Sequence, residues 1–483
     1  MLDLRSVLFL LGVLLSLLAA AMLIPMGIEI GFYSTDYWQS FAISSFVCGF
    51  AGTLLSVSNQ PDTRMELGVR EAFLLTTLLW FASCLVAALP LYFGPARITF
   101  VDALFEATSA LTTTGATVLT DLDTMPKSIL LWRALLQWLG GIGIIVMAMI
   151  IFPILRIGGM QLFRSEFSDR SEKILPRVSQ IASGIVGVYT GLTFLCLLCL
   201  SFVGMEVFDA LCHAMSALST GGLSTRDASI QAFGSWQIEF ILMIFMILGG
   251  GTLVLYVRIF QGNPSSVLKD PQYKAYLLTL LGAGGVLSLW YILTSDANLL
   301  SAIRFSFFSV ISVMTTTGFY AVDYTLWGSF AGTFMVLLSF IGGCTGSTSG
   351  GIKIFRLQVL FSYALSHLRQ LRRVHGVYIP TFKGQKISES IALSVFVFIT
   401  LYLLCVLVLA LLLSFYDLSF TTAFTGAVAA IGNTGAGLGK IGPSGTFAQL
   451  PEGAKFLLMF GMLLGRLELL TILVLFLPSF WRD

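Results

Sequence analysis

Four short segments combine hydroxyl or amide side chains with glycine: Thr113-Thr114-Gly115, Ser219-Thr220-Gly221, Thr316-Thr317-Gly318 and Asn433-Thr434-Gly435. Each ends a short apolar stretch lying between two long hydrophobic ones. Glycine permits positive φ and lets backbones approach closely, and Thr or Ser hydroxyls can hydrogen-bond a strained turn. The chemistry on offer is a ring of carbonyl oxygens, which is how a membrane protein replaces the water shell of an alkali cation. One Thr-Gly pair is an ordinary helix C-cap. Four at equivalent places predict four pieces of backbone converging on one axis. No carboxylate stands beside these glycines, so the attraction for a cation has to come from carbonyls and from the negative ends of the helices leading into them.

Two further features interrupt otherwise apolar sequence. The run Gly342, Gly343, Cys344, Thr345, Gly346, Ser347, Thr348, Ser349, Gly350 and Gly351 sits inside a long span. Each glycine costs about 1 kcal/mol relative to Ala in a helix, and unwound backbone at membrane depth must face protein or water. Just below the turns the run would make a flexible barrier; a small-residue face for helix packing is the plainer alternative. A phosphate cradle is disfavoured, because the run lacks a G-K-[ST] ending and follows no strand. Arg466 is the second feature, expected in the middle of a span at 456–478. A charge there costs about 3 kcal/mol or more, so it should face water or a partner. We expect it to project into the pathway below the turns and oppose a passing cation. The alternative is a pair with a carboxylate on another helix, since Glu468 lies about 200° away round a continuous helix.

The elements that must position these residues follow from composition. Of 483 residues, 57% are hydrophobic and 11% charged, against about a quarter charged in soluble proteins. Apolar spans of about 20 residues, each matching the ~30 Å hydrocarbon layer, recur along the chain. The expected fold class is an all-α polytopic membrane protein. Two N-terminal helices within 1–60 precede a unit that recurs at 71–157, 178–262, 272–372 and 387–483. Each unit reads long span, short half-span, glycine turn, long span. The half-spans 105–114, 208–220, 302–317 and 420–434 are too short to cross. We read them as re-entrant pore helices, giving four pseudo-symmetric helix–pore-helix–helix repeats around one pore; exposed loops would be less apolar. The first span is read as a retained helix rather than a cleaved signal. With the N-terminus cytoplasmic, most of the 27 Lys and Arg residues fall on the cytoplasmic side, as the positive-inside rule requires. Basic stretches at 156–177 and 367–386 are candidate contacts for a regulatory partner or for anionic lipid.

Enzyme chemistry finds no support in the residues. The three histidines, His213, His367 and His375, have no ligand spacing, and Cys196 and Cys199 lie mid-span in Leu-rich sequence as packing residues. No bound cofactor and no nucleic-acid partner is expected. The competing transport class is an alternating-access secondary cation transporter, symport included. It predicts inverted repeats and central binding charges, whereas these repeats run in the same direction.

The segments TTTGAT at 112–117, TGGLST at 220–225, TTTGF at 315–319 and NTGAGLG at 433–439 resemble the four pore loops of the Trk/Ktr/HKT superfamily of K⁺ transporters. QWLGGIGIIV at 137–146, IGGCTGSTSGGIK at 341–353, GRLELLT at 465–471 and the ending LFLPSFWRD at 475–483 are similar to the TrkH-type bacterial subunit. The resemblance covers essentially the whole chain. It implies K⁺ uptake across a bacterial inner membrane through a channel-like selective pore. It also implies a homodimer with one pore per subunit and a cytosolic TrkA-like nucleotide-binding regulatory subunit. By this resemblance Gly115, Gly221, Gly318 and Gly435 are filter glycines, K⁺ is the bound and transported ion, and the loop from Gly342 to Gly351 is a gate. The second loop reads Thr220-Gly221-Gly222-Leu223 here, where I-G-G-F is frequent in the family.

Overall fold

A helix satisfies its own backbone hydrogen bonds, which hydrocarbon cannot do, so apolar stretches of bilayer length fold as helices. The computed structural model describes residues 4–33, 37–61, 68–150, 174–295, 298–373 and 376–482. Among these, seven helices are long and apolar enough to cross a membrane, and two helix pairs make bent spans. Leu4–Ile28 and Trp38–Ser58 form an N-terminal pair. They meet through small residues: a Cβ on Gly12 or Gly52 would strike the other's carbonyl oxygen, and Ser45 Oγ donates to Ala19 O at 2.8 Å. Lipid is as apolar as leucine, so close packing of this kind has to drive helix association.

Four repeats follow. Their first helices are Val69–Ala87, Ile174–Phe202, Pro271–Thr294 and Glu389–Ser414. Their half-helices are Phe100–Leu111, Val207–Leu218, Leu299–Met314 and Phe420–Gly432. Their second helices are Lys127–Ile150, Trp236–Gly250, Ser329–Ile341 and Glu452–Arg466. Three half-helices start at a side-chain cap, with Thr99, Asn298 and Ser419 accepting a first-turn N–H, which satisfies donors the helix itself leaves open. Phe105, Glu106, Ala107, Thr108, Ser109 and Ala110 are all at most 1% exposed. The first half-helix is therefore enclosed by protein on every side from Phe105 onward and is not a surface loop. By contrast Leu393, Leu404 and Leu411 stand exposed along Glu389–Ser414, an apolar face suited to lipid. The chain is a multi-pass membrane protein.

Polar clasps close the seams between repeats near the half-helix starts. Lys127 Nζ meets Glu206 at 2.6 Å, Arg304 meets Glu239 at 2.5 Å, and Lys455 meets Asp102 at 2.5 Å. Those pairs join repeats one to two, two to three and four to one. Between three and four, Ser444 Oγ donates to Asp323 at 2.6 Å.

The unbroken long spans expected to close the units 178–262 and 387–483, the latter at 456–478, are corrected by the structure. Trp236–Gly250 and Leu253–Phe260 meet at 96°, and Glu452–Arg466 and Leu470–Phe476 meet at 106°. The first break falls at Gly249-Gly250-Gly251, where the Gly249 and Gly250 carbonyls accept from Thr348 N and Cys344 N instead of continuing a helix. At the second, Glu468 and Leu469 take φ of 60° and 37°, and the Glu468 carboxylate is held by Arg356 and Lys353. In repeat three the break is the glycine-rich loop itself, between Ser329–Ile341 and Ile354–Arg372. Repeat one keeps a continuous helix over Lys127–Ile150. Of the two basic stretches, residues 156–173 and 374–375 lie outside the described residues. The second stretch carries a small hairpin pairing Thr381–Phe382 with Gln385–Lys386.

Candidate functional site

The four glycine turns share one backbone geometry. Thr113, Thr220, Thr316 and Asn433 have φ of 54°, 51°, 59° and 52°, and Gly115, Gly222, Gly318 and Gly435 have φ of 86°, 77°, 87° and 83°. Thr114 N, Gly221 N, Thr317 N and Thr434 N reach back to Ser109 O, Ser216 O, Ser312 O and Ala429 O at 2.8–2.9 Å. This is the hydrogen bond of a Schellman helix ending. Three of the four left-handed residues are threonine, which pays a steric cost there that Gly or Asn largely escapes. Strain repeated at equivalent positions is a mark of a functional backbone.

The repeat-two turn sits one residue later than the Thr-Gly spelling suggests. Thr220 occupies the place of Thr113, Gly221 that of Thr114, and Gly222 that of Gly115. The physical reason is the hydrogen-bond pattern: Gly221 N closes the helix ending, which leaves Gly222 as the glycine that must turn. Gly222 was not singled out from sequence, and the adjacent pair of glycines was the signal that could have found it.

The turns form a closed ring. A Cβ added to Gly115 would come within 3.0 Å of Gly221 O, one on Gly222 of Thr317 O, one on Gly318 of Thr434 O, and one on Gly435 of Thr114 O. Each glycine therefore abuts the carbonyl preceding the next repeat's glycine, in the order one, two, three, four and back to one. Four equivalent carbonyls, those of Thr114, Gly221, Thr317 and Thr434, lie at the four seams. Each turn caps a half-helix C-terminus, the negative end of its dipole. Hydroxyls reinforce alternate turns: Thr112 and Thr114 Oγ1 are 2.8 Å apart, and Thr315 and Thr317 Oγ1 are 2.7 Å apart. Asn433 Nδ2 donates across a seam to Thr114 Oγ1 at 2.9 Å.

The loop after Ser329–Ile341 is ordered and wired to this ring. Gly342 through Gly351 include Cys344, Thr345, Ser347, Thr348 and Ser349, each at most 4% exposed. The Thr348 hydroxyl lies 3.0 Å from Leu218 O and accepts from Thr220 Oγ1 at 3.2 Å. Ser349 Oγ lies 3.1 Å from Thr316 Oγ1, which also accepts Gly350 N at 2.8 Å. Gly351 N donates to Gly432 O at 3.1 Å. Thus the loop touches the turns of repeats two, three and four. Gly346 turns at φ 78°, and Thr345 N donates to Gln272 Oε1 at 3.0 Å.

Arg466 ends its helix and is 3% exposed. It donates from Nη1 to Thr348 O at 2.7 Å and from Nη2 to Gly140 O at 3.2 Å, while its Nε has no hydrogen-bond partner among the described residues. Its hydrogen-bond partners are carbonyls, not the carboxylate considered from sequence. The nearby carboxylate, Glu468, pairs with Arg356 and with Lys353. Sequence reasoning also missed Arg133 and Glu106, paired at 2.7 Å in full burial; two charges inside apolar spans were the available signal. Among the described residues no three His, Cys, Asp or Glu side chains gather as metal ligands.

A family model described as TrkH, a cation transport protein, matches residues 38–482. The chain is 43% identical over 415 residues to the Trk system potassium uptake protein TrkI of Halomonas elongata, covering 86% of this chain and 84% of that one. It is 37% identical over 486 residues to the Trk system potassium uptake protein TrkH of Salmonella typhimurium, covering 99% of each. Its fold matches the crystal structure of the potassium transporter TrkH from Vibrio parahaemolyticus with a TM-score of 0.92 at 32% identity, over 100% of both chains. Helix order, turn geometry and sequence lead to one assignment: the chain belongs to the TrkH family of cation transport proteins.

Proposed function

We propose that this chain is the pore-forming subunit of a bacterial K⁺ uptake system, with the four-turn ring as its selectivity filter. The observation that carries this reading is ring closure: four strained turns, each at a half-helix C-terminus, meet through equivalent carbonyls in cyclic order. Carbonyl oxygens replace the hydration shell of the ion, and the half-helix dipoles favour positive charge at that point. The filter residues are Thr113, Thr114 and Gly115; Ser219, Thr220, Gly221 and Gly222; Thr316, Thr317 and Gly318; and Asn433, Thr434 and Gly435. The names of the relatives, potassium uptake proteins in each case, support K⁺ as the cargo.

The loop Gly342–Gly351 acts as the gate, and Arg466 as both its latch and an electrostatic barrier. With two carbonyl acceptors and no carboxylate in direct contact among the described residues, the guanidinium charge repels a cation arriving from the filter. Moving the loop out of the path breaks the Arg466–Thr348 bond and the contacts to Thr220 and Thr316. The distribution of basic residues supports an inner-membrane orientation with the N-terminus cytoplasmic. The hairpin at 381–386 then lies on the cytoplasmic side, with His367 to Lys386 as a contact for a TrkA-like nucleotide-binding subunit; the subunit works as a homodimer. The test is uptake of Rb⁺ into proteoliposomes holding the purified protein and driven by a K⁺ gradient. Uptake above empty vesicles is expected; its absence with and without a regulatory subunit contradicts the reading.

A further inference from the structure

We propose that Arg133 is a positioning residue for ion discrimination, bracing the filter strands of repeats one and two as a single unit. The inference rests on the filter reading above. Arg133 stands on Lys127–Ile150 and Glu106 on the first half-helix; they are 1% and 0% exposed. Arg133 Nε donates to Glu106 Oε1 at 2.7 Å, Nη2 to Thr117 Oγ1 at 3.1 Å, and Nη1 to Ser224 O at 3.1 Å. Glu106 in turn accepts Val118 N at 2.9 Å and the Thr117 hydroxyl at 3.0 Å. Thr117 and Ser224 follow the left-handed turn residues Thr113 and Thr220 at the same interval. One guanidinium therefore reaches the equivalent position in two neighbouring strands.

The second strand has its own brace in the matching place. His213, seven residues before Thr220 as Glu106 is before Thr113, sets Nε2 2.9 Å from Ser224 Oγ. Repeats three and four hold their strands with hydroxyls rather than charges: Ser312 Oγ donates to Phe319 O at 2.6 Å, Ser229 Oγ accepts Tyr320 N at 3.4 Å, and Thr425 Oγ1 accepts Leu438 N at 2.9 Å. Among the described residues, the loop's hydrogen bonds reach the turns of repeats two, three and four and not that of repeat one. So the charged brace ties the repeat-one strand, which the loop's hydrogen bonds do not reach, to the repeat-two strand, whose turn they do. Arginine suits the task because its planar fork offers donors in fixed directions, whereas lysine is a point charge on a flexible stem.

The experiment measures K⁺ (as Rb⁺) against Na⁺ flux in proteoliposomes for Thr117→Val, Glu106→Gln, Arg133→Lys and Arg133→Gln. Gly318→Ser and Arg304→Gln are run alongside. Thr117→Val removes one hydroxyl and keeps the shape, so it decides the matter if the charge variants fail to insert. The expected result is a K⁺/Na⁺ ratio lowered by about tenfold in Thr117→Val and Glu106→Gln, the scale of one or two lost buried hydrogen bonds, with Na⁺ flux rising. Arg133→Lys loses discrimination nearly as fully as Arg133→Gln, because charge alone cannot hold two strands. Arg304→Gln, at a seam clasp away from the strands, leaves the ratio unchanged. A preserved ratio in Thr117→Val and Arg133→Lys, with Gly318→Ser shifting it, overturns the brace while the filter reading stands. A ratio unmoved by Gly318→Ser as well overturns the filter reading itself.

Discussion

The Arg466 guanidinium donates to the Thr348 carbonyl at 2.7 Å, and this bond joins the break in repeat four to the loop in repeat three. Thr348 also touches the end of the second half-helix through Leu218 O. A movement of the loop is thereby felt at the ring, and the reverse holds too. Removing the guanidinium deletes a latch and a positive charge together. At an effective dielectric of about 20, unit charges about 8 Å apart repel by about 2 kcal/mol, so Arg466→Ala raises K⁺ or Rb⁺ flux by about tenfold or more. Single-channel recording or tracer uptake checks this, and unchanged flux would remove Arg466 from the barrier.

The ring register makes a separate prediction. Gly222 has φ 77° and a Cβ there meets the backbone of Thr317, whereas a Cβ on Gly221 meets the Gln137 side chain. Backbone cannot give way as a side-chain tip can. Gly222→Ala therefore lowers the K⁺/Na⁺ ratio markedly, and Gly221→Ala lowers it less. The reverse order in a paired flux assay would restore the Thr220-Gly221 alignment.

Loop anchoring is probed at Ser349. Its Oγ accepts Gly343 N at 2.8 Å and lies beside Thr316 Oγ1. Ser349→Ala leaves that N–H without its acceptor and loosens the loop by about 1 kcal/mol. Basal flux rises several-fold with the ion ratio retained. A fall in flux would show that Ser349 holds the open arrangement instead.

Glu468 balances two buried cations, Arg356 and Lys353, and Arg356 lies over the Phe398 ring at 3.7 Å. Breaking a buried pair by removing one partner costs about 3–5 kcal/mol. Glu468→Gln therefore lowers thermal stability in detergent, and adding Arg356→Met recovers part of the loss. An unshifted unfolding temperature for the single variant contradicts this assignment.

Much of the architecture was legible because hydropathy and length report directly on lipid contact. The half-helices stood out by being apolar yet too short, and the glycine-rich loop by being unable to persist as a helix. The bends at Gly250 and Glu468 were hidden, since a run of apolar residues says how well a segment suits hydrocarbon and nothing of where its axis turns. That hid Arg466's environment too: on a straight span it sits mid-bilayer, while in the structure it ends a helix against carbonyls 118 and 326 residues away in sequence. Repeat two misled for another reason. Two adjacent glycines both permit a turn, and only the Gly221 N to Ser216 O bond decides which one makes it.

The central claim is that the four-turn ring selects the ion. Rb⁺ uptake by the reconstituted protein, competed in turn by K⁺, Na⁺ and Li⁺, tests it most directly. K⁺ is predicted to suppress the signal at far lower concentration than Na⁺ or Li⁺, and equal suppression by all three would contradict the account.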